Sequence, residues 1–216
     1  MRRPRIKPLR LTVAVLTGSL SCAGVAYAAS LGVSSRQLHA WSQTLTKASC
    51  NQSYTTASDT YVDQQSPNTA FGGSTTLSVG GGSSKVKYAF IRFDLTNCNL
   101  PTSGGADSAT LTLTVTSAGK DTISLYPVTS SWSPSTLTWN GVTGLTIGTT
   151  ATASFSADKA LAYTVPVTAD VDMAIKSGTL WGWELKDTSG TAVTSLASAE
   201  NTTVASRPSL TLSDEK

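Results

Sequence analysis

The sequence is poor in the side chains from which catalytic and metal sites are built. Its 216 residues include one histidine, three cysteines and 13 acidic residues. The histidine, His39, precedes the strand-patterned part of the chain, so a Ser-His-Asp arrangement has little support. Histidines and cysteines are too few for a zinc site, and nothing marks the pair of carboxyl groups that glycoside hydrolysis needs. We therefore expect no enzymatic activity.

Residues 1–28 have the pattern of a secretory signal peptide. Five basic and no acidic residues lie in this segment, an apolar run follows them, and Ala26-Tyr27-Ala28 matches the A-x-A sequence that signal peptidase reads. A lipoprotein signal would need an aliphatic residue where Ser19 stands, and glycines and serines interrupt the roughly 20 apolar residues that an uncleaved anchor requires. We expect cleavage before Ala29 and an extracellular protein, secreted or associated with the cell surface, with no membrane contact after cleavage.

Loss of this segment changes the sign of the net charge. The whole chain has 16 basic and 13 acidic residues, a net charge of +3 and an isoelectric point near 8.8. After cleavage 11 basic and 13 acidic residues remain, which is a net charge of −2. The high isoelectric point therefore comes from the signal peptide, and we expect no nucleic-acid partner.

Alternation of apolar and polar residues predicts strands from residue 59 onward. The clearest strand is 108–116, SATLTLTVT, where threonines alternate with alanine, leucine and valine. Further strands are predicted at 59–63, 75–79, 86–95, 122–127, 160–166, 180–186 and 208–212. Many short strands separated by glycine and proline turns predict an all-β fold, an antiparallel β-sandwich of jelly-roll type. Residues 29–58 form an N-terminal lead-in whose role stays open.

One short helix is predicted at residues 168–178. Thr168 is placed to cap it, Asp170 and Asp172 favour the positive first turn, and Gly178 is placed to end it. We expect its apolar stripe to cover an open end of the sandwich.

Two cysteines remain once Cys22 has left with the signal peptide. Cys50 and Cys98 form an even pair in an oxidising compartment, for which a disulfide is the simplest interpretation and free thiols the alternative. We expect no cofactor.

A structural calcium ion is a separate question that the sequence leaves open. Asp59, Asp63 or Asp94 could supply hard oxygen ligands together with backbone carbonyls.

Several segments, in order, resemble the DNRLRE domain, a family related to carbohydrate-binding module family 96. The resemblance spans residues 59–213 and rests on DTYVDQQSPNTAFGGSTTLSVG, YAFIRFDL, SATLTLTV, SSWSPSTLTWNG, WGWELK and ASRPSLTLS. It implies a jelly-roll-type β-sandwich domain over those residues, of the kind found in secreted bacterial proteins. It also implies polysaccharide as the partner, since some relatives bind acidic polysaccharides such as alginate.

The polar face of the 86–95 strand is the leading candidate for a binding site. Tyr88 and Arg92 project from it together, and Lys85 and Lys87 lie at its entry. The planar guanidinium of arginine suits a carboxylate, and tyrosine offers a rigid amphipathic surface. The group would suit a uronic acid; alternatively, Arg92 pairs with Asp94 or with a carboxylate on a neighbouring strand.

The two tryptophans of SSWSPSTLTWNG could likewise either contact a ligand or pack in the core. Trp132 or Trp139 could present a platform for a sugar ring, with Asn140 in its polar fringe. The alternative, which the family-like form of the motif favours, is that both plug the sandwich and that residues 137–139 form a strand.

Three further residues are open to the same two interpretations. Arg207, at the start of the last strand, is either a ligand contact or a structural residue. Trp181 and Trp183 fall on one face of a predicted strand, and we expect that face in the core.

These observations favour a secreted, non-catalytic carbohydrate-binding module for an acidic polysaccharide. The alternative is a structural or adhesive cell-surface protein without a glycan ligand. The oligomeric state stays undetermined.

Overall fold

A computed structural model describes residues 50–52, 57–96, 98, 106, 108–188 and 190–213, all within the compact unit Leu45–Lys216. The signal peptide and most of the lead-in lie outside these residues, so both stay predictions, as do the domain boundaries. No helix among the described residues is long and apolar enough to span a bilayer.

Eleven strands are present in the described residues, and they confirm the predicted all-β antiparallel sandwich. They are β1 (Cys50–Gln52), β2 (Ala57–Asp63), β3 (Thr76–Gly80), β4 (Lys87–Phe93), β5 (Ser108–Ser117), β6 (Thr122–Pro127), β7 (Ala153–Ser156), β8 (Ala162–Pro166), β9 (Trp183–Asp187), β10 (Val193–Ala197) and β11 (Ser209–Ser213). Strands β1, β7 and β10 were not predicted, since each is short and carries little alternation. The strand expected at 137–139 is wrong, because this segment forms turns that lead into a 3₁₀ helix, Asn140–Gly144.

Strand β5 links the two halves of the fold. Its edges pair with β8 and with β11, which pairs in turn with β1, while its last residues pair with β10. Strand β10 pairs in turn with β3. The other half consists of five strands in the order β2-β4-β9-β6-β7. It joins β3 where Gly80 pairs with Lys87 of β4. This pairing brings the edge-to-edge neighbours β4 and β9 to the middle of one half.

The main core lies between the two halves. Strand β5 contributes the buried residues Ala109, Leu111, Leu113 and Val115, with the alternation that the sequence predicted. Ala89, Ile91 and Phe93 of β4 and Trp183 of β9 face them. The apolar residues at alternate positions of these strands therefore share one interior.

The predicted helix is confirmed as α1 (Thr168–Ser177), and it ends at Gly178 with a φ of 79°. Val171 and Ala174 are buried against the core. Thr168 does not cap the helix as expected, because Val167 is the N-cap residue and Thr168 Oγ1 accepts a hydrogen bond from the Ala109 N–H at 3.0 Å. Helix α1 is thereby tied to β5.

Candidate functional site

The outer face of β4 is partly covered, which the sequence did not predict. Phe90 projects from this face between Tyr88 and Arg92 and is fully buried with Val62, Val128, Trp132 and Leu137 in a second apolar cluster. Two of these residues, Trp132 and Leu137, come from the SSWSPSTLTWNG segment. The SSWSPSTLTWNG segment therefore covers the middle of β4, and it separates the surroundings of Tyr88 from those of Arg92.

Trp132 belongs to this covering and is not an exposed platform. Its side chain is only 6% exposed, its ring meets the Phe90 ring edge-on at 5.8 Å, and its Nε1–H donates to the Trp181 carbonyl at 2.8 Å. A buried indole with its N–H satisfied is a packing residue. The packing interpretation of Trp132 thus fits the structure, and its role as a sugar platform is corrected. Trp139 is half-buried and stacks on Tyr88 at 5.2 Å.

Arg92 lies between two indole rings. Its guanidinium carbon is 5.3 Å from the centre of the Trp132 ring and 5.4 Å from that of Trp181. Among the described residues, no carboxylate forms an ion pair with Arg92 and none accepts a hydrogen bond from it. Asp94 instead accepts the Thr96 N–H at 2.9 Å, which lowers the pKa of Asp94. Arg92 and Asp94 therefore form no direct ion pair, although the charge of Arg92 also contributes to the lowered pKa of Asp94.

A cavity of about 510 Å³ opens beside Arg92, between the end of β4 and the C-terminal end of α1. Its polar lining comes from Ser58, Arg92, Asp94, Thr96 and Thr179, and its apolar lining includes Ile175, Leu180 and Trp181. We call this the Arg92 cavity. A cation, hydroxyl groups and an indole face meet in it, which is the mixture that a sugar acid requires.

Gly182 allows Arg92 and Trp181 to come together. Its φ is 78°, and a Cβ atom there would lie 1.9 Å from the Ile91 carbonyl oxygen and 2.7 Å from Arg92 Cβ. This left-handed residue also breaks the alternation of WGWELK. Trp183 consequently enters the main core while Trp181 packs in the second cluster, so the expectation that both share one face is wrong.

A second cation–aromatic group lies at the other end of the same face. Lys186 Nζ is 4.9 Å from the Tyr88 ring centre and 5.3 Å from that of Tyr126. It is also 2.7 Å from Glu184 Oε2, whose side chain is fully buried. Burial raises the pKa of Glu184, and the hydrogen bond and charge of Lys186 partly offset this. We call this the Lys186 cluster; no local signal in the sequence predicted it.

The predicted lysines do not join Tyr88 and Arg92. Lys87 projects from the opposite face of β4, pairs with Asp63 and lies 5.8 Å from the Tyr61 ring centre. The reason is the alternation of side chains along a strand, which separates neighbours such as residues 87 and 88. Lys85 is exposed in the turn before β4.

The two remaining predicted residues have contacts of their own. The Asn140 side-chain amide donates to Asn68 Oδ1 at 2.8 Å, and Arg207 Nε donates to the Asn201 carbonyl at 2.5 Å. Neither lines the Arg92 cavity. Their binding roles stay predictions, and of the predicted set only Arg92 lies in that cavity.

The three aspartates considered for calcium have separate partners. Asp59 Oδ2 accepts the Ala199 N–H at 2.8 Å, Asp63 pairs with Lys87, and Asp94 binds Thr96. Within the described ranges no group of three or more acidic, histidine or cysteine side chains gathers around one point.

Cys98 packs beside the main core and lines the Arg92 cavity. The side chain of Cys50 lies outside the described residues, so the disulfide between Cys50 and Cys98 stays a prediction.

The described residues form an antiparallel β-sandwich with an open cavity lined by a cation and an aromatic ring, which places the chain in the broad class of β-sandwich domains. Comparison with known families narrows this class. The profile of carbohydrate-binding module family 96 matches residues 51–214, and the chain belongs to that family. Modules of this kind bind carbohydrate and are in general non-catalytic. No curated protein matches the chain significantly. The relation to family 96 is confirmed, whereas the DNRLRE domain stays a prediction.

Proposed function

We propose that this protein binds an acidic polysaccharide outside the cell, without catalysis, and that the Arg92 cavity receives a uronate carboxylate. The observation that supports the proposal is the position of the Arg92 guanidinium. It is held against Trp132 and Trp181, it borders an open cavity, and no carboxylate of the described residues lies within ion-pair distance of it.

This arrangement suits a carboxylate for two reasons. A guanidinium presents its N–H groups in a planar fork that matches the two oxygens of a carboxylate. Stacking between two indoles limits the freedom of the side chain, so less conformational entropy is lost when the ligand binds.

The rest of the cavity suits the sugar ring. Trp181 is half-buried and offers ring surface, and Thr96 and Thr179 offer hydroxyl groups. Asp94 at the rim can accept ligand hydroxyl groups, although its charge weakens the attraction of Arg92 for an anion. We expect modest affinity, because an open groove buries only part of a ligand.

Affinity electrophoresis of the purified protein tests the proposal. We expect retardation in gels that contain polygalacturonate or alginate but not in gels with neutral xylan. Arg92→Ala should weaken binding of the acidic polymers by about tenfold or more, as at other desolvated charge contacts.

Lys85→Ala is the matched control, because it removes the same charge from an exposed turn outside the cavity. It should keep the retardation of the native protein. Equal loss in both variants would mean that net charge, and not the cavity, attracts the polymer. Unchanged mobility of the native protein in every gel would overturn the proposal and favour a structural or adhesive role.

A further inference from the structure

A second cavity adjoins the Arg92 cavity. Its volume is about 380 Å³, and it shares Ala174, Thr179, Leu180 and Trp181 with the Arg92 cavity. The segment 179–181 therefore lines both cavities. Because the two cavities share these lining residues, adjacent units of one polymer can occupy both.

A buried carboxylate faces the second cavity. Asp170 is only 8% exposed, and its Oδ2 atom accepts hydrogen bonds from Trp183 Nε1 and from Thr152 Oγ1, both at 2.5 Å. No described residue donates a hydrogen bond to Oδ1, although Asp170 lines the cavity. A carboxylate fixed through one oxygen, with the other unpartnered, is suited to accept a ligand hydroxyl group.

The remaining lining gives this cavity a different character from its neighbour. Pro127, Met173 and Leu180 provide apolar surface, and Thr129 and Ser177 provide hydroxyl groups, whereas no basic residue of the described ranges lines it. A negative charge without a cation disfavours an anionic sugar. The C–H face of a neutral sugar can pack on the apolar side chains while its hydroxyl groups meet Asp170.

We propose that the second cavity is a subsite for an uncharged sugar next to the uronate, so that the preferred ligand is a heteropolysaccharide in which uronate and neutral sugars adjoin. This inference rests on the proposed function of the Arg92 cavity. It predicts that homopolymers of uronate are the poorer ligands.

A matched pair of polymers tests the inference. Polygalacturonate contains galacturonate alone, whereas the rhamnogalacturonan backbone alternates galacturonate with neutral rhamnose. We expect the alternating polymer to bind about tenfold more tightly, since a like charge facing Asp170 is avoided. Equal binding, or tighter binding of polygalacturonate, would overturn the inference and leave the proposed function intact. If neither polymer binds, both fail.

A variant at the rim tests the same point without disturbing the interior. Met173 lies on α1, is 57% exposed and lines the second cavity. Met173→Lys should strengthen binding of polygalacturonate about threefold and reduce the preference for the alternating polymer. Met173→Gln, the uncharged control, should keep the native preference. An unchanged preference in Met173→Lys would contradict the subsite. A gain in affinity for both polymers alike would also contradict it.

Discussion

Two basic side chains on the outer face of β4 and β9 lie against aromatic rings. They differ in whether a carboxylate of the fold forms an ion pair with them. Arg92 lies against Trp132 and Trp181, and Lys186 lies against Tyr88 and Tyr126. Lys186 forms an ion pair with the fully buried Glu184, whereas no carboxylate of the described residues lies within ion-pair distance of Arg92. The comparison indicates that aromatic contacts alone do not distinguish a binding site from a structural one. What distinguishes the two kinds of site is whether a counter-ion within the fold forms an ion pair with the cation.

The difference follows from burial. Glu184 sits on β9 opposite Phe90 of β4 and Tyr126 of β6, away from solvent, so its charge requires Lys186. Arg92 stands opposite Gly182, which has no side chain to pair with it and lets the two strands approach closely. The Lys186 cluster therefore stabilises the sheet, and the Arg92 group remains available to an external anion.

Loss of the lysine should produce the largest effect on stability. Lys186→Met leaves Glu184 buried without compensation, and we expect the free energy of unfolding to fall by about 3 kcal/mol. Urea denaturation measures this. Adding Glu184→Gln should recover much of the loss, because the uncompensated charge is removed. If Lys186→Met is as stable as the native protein, the structural role of the cluster is wrong.

The pH dependence of stability should also distinguish the Lys186 cluster from the Arg92 group. We expect this effect to be smaller than that of Lys186→Met. Between the ordinary pKa of Glu184 and its raised native value, the folded state keeps a proton that the unfolded state has released. The free energy of unfolding therefore falls as the pH rises through this window, and the loss is complete above the native pKa. Glu184→Gln should flatten this part of the profile, whereas Arg92→Met should not change it.

Asp59 adds a pH dependence that all these variants share. Burial raises its pKa from 3.8 to about 8, so it lowers stability as the pH rises between these values. The measurement for Glu184 is thus the difference between variant and native profiles, obtained by urea denaturation from pH 4 to pH 8. Parallel profiles for Glu184→Gln and the native protein would contradict the expectation.

Loss of the arginine should have the smallest effect on stability. Arg92→Met removes two cation–aromatic contacts but leaves no described carboxylate unpaired, so we expect a loss of about 1 kcal/mol. The same denaturation experiment measures it. A loss as large as that of Lys186→Met would mean that Arg92 is chiefly structural and would remove the basis of the comparison.

Local pattern made much of the fold predictable. Alternation in β5 identified its buried face, and Gly178 marked the end of α1, because both signals act over a few neighbouring residues. The same alternation placed Tyr88 and Arg92 on one face of β4. It also separates Lys87 from them, which the sequence analysis overlooked.

The sequence by itself determined which side chains share a strand face, and only the tertiary structure decided what lies above that face. Trp132 donates to the backbone carbonyl of Trp181, 49 residues away, and this contact fixes the Trp132 indole beside Arg92. Asp170 meets Trp183 from α1, and Glu184 meets Phe90 and Tyr126 through strand pairing. Local periodicity carries no information on such partners, because they depend on the packing of segments that are distant in the chain. The ion pair of Lys186 with Glu184, and the lack of an ion-pair partner for Arg92 among the described residues, are therefore properties of the folded molecule.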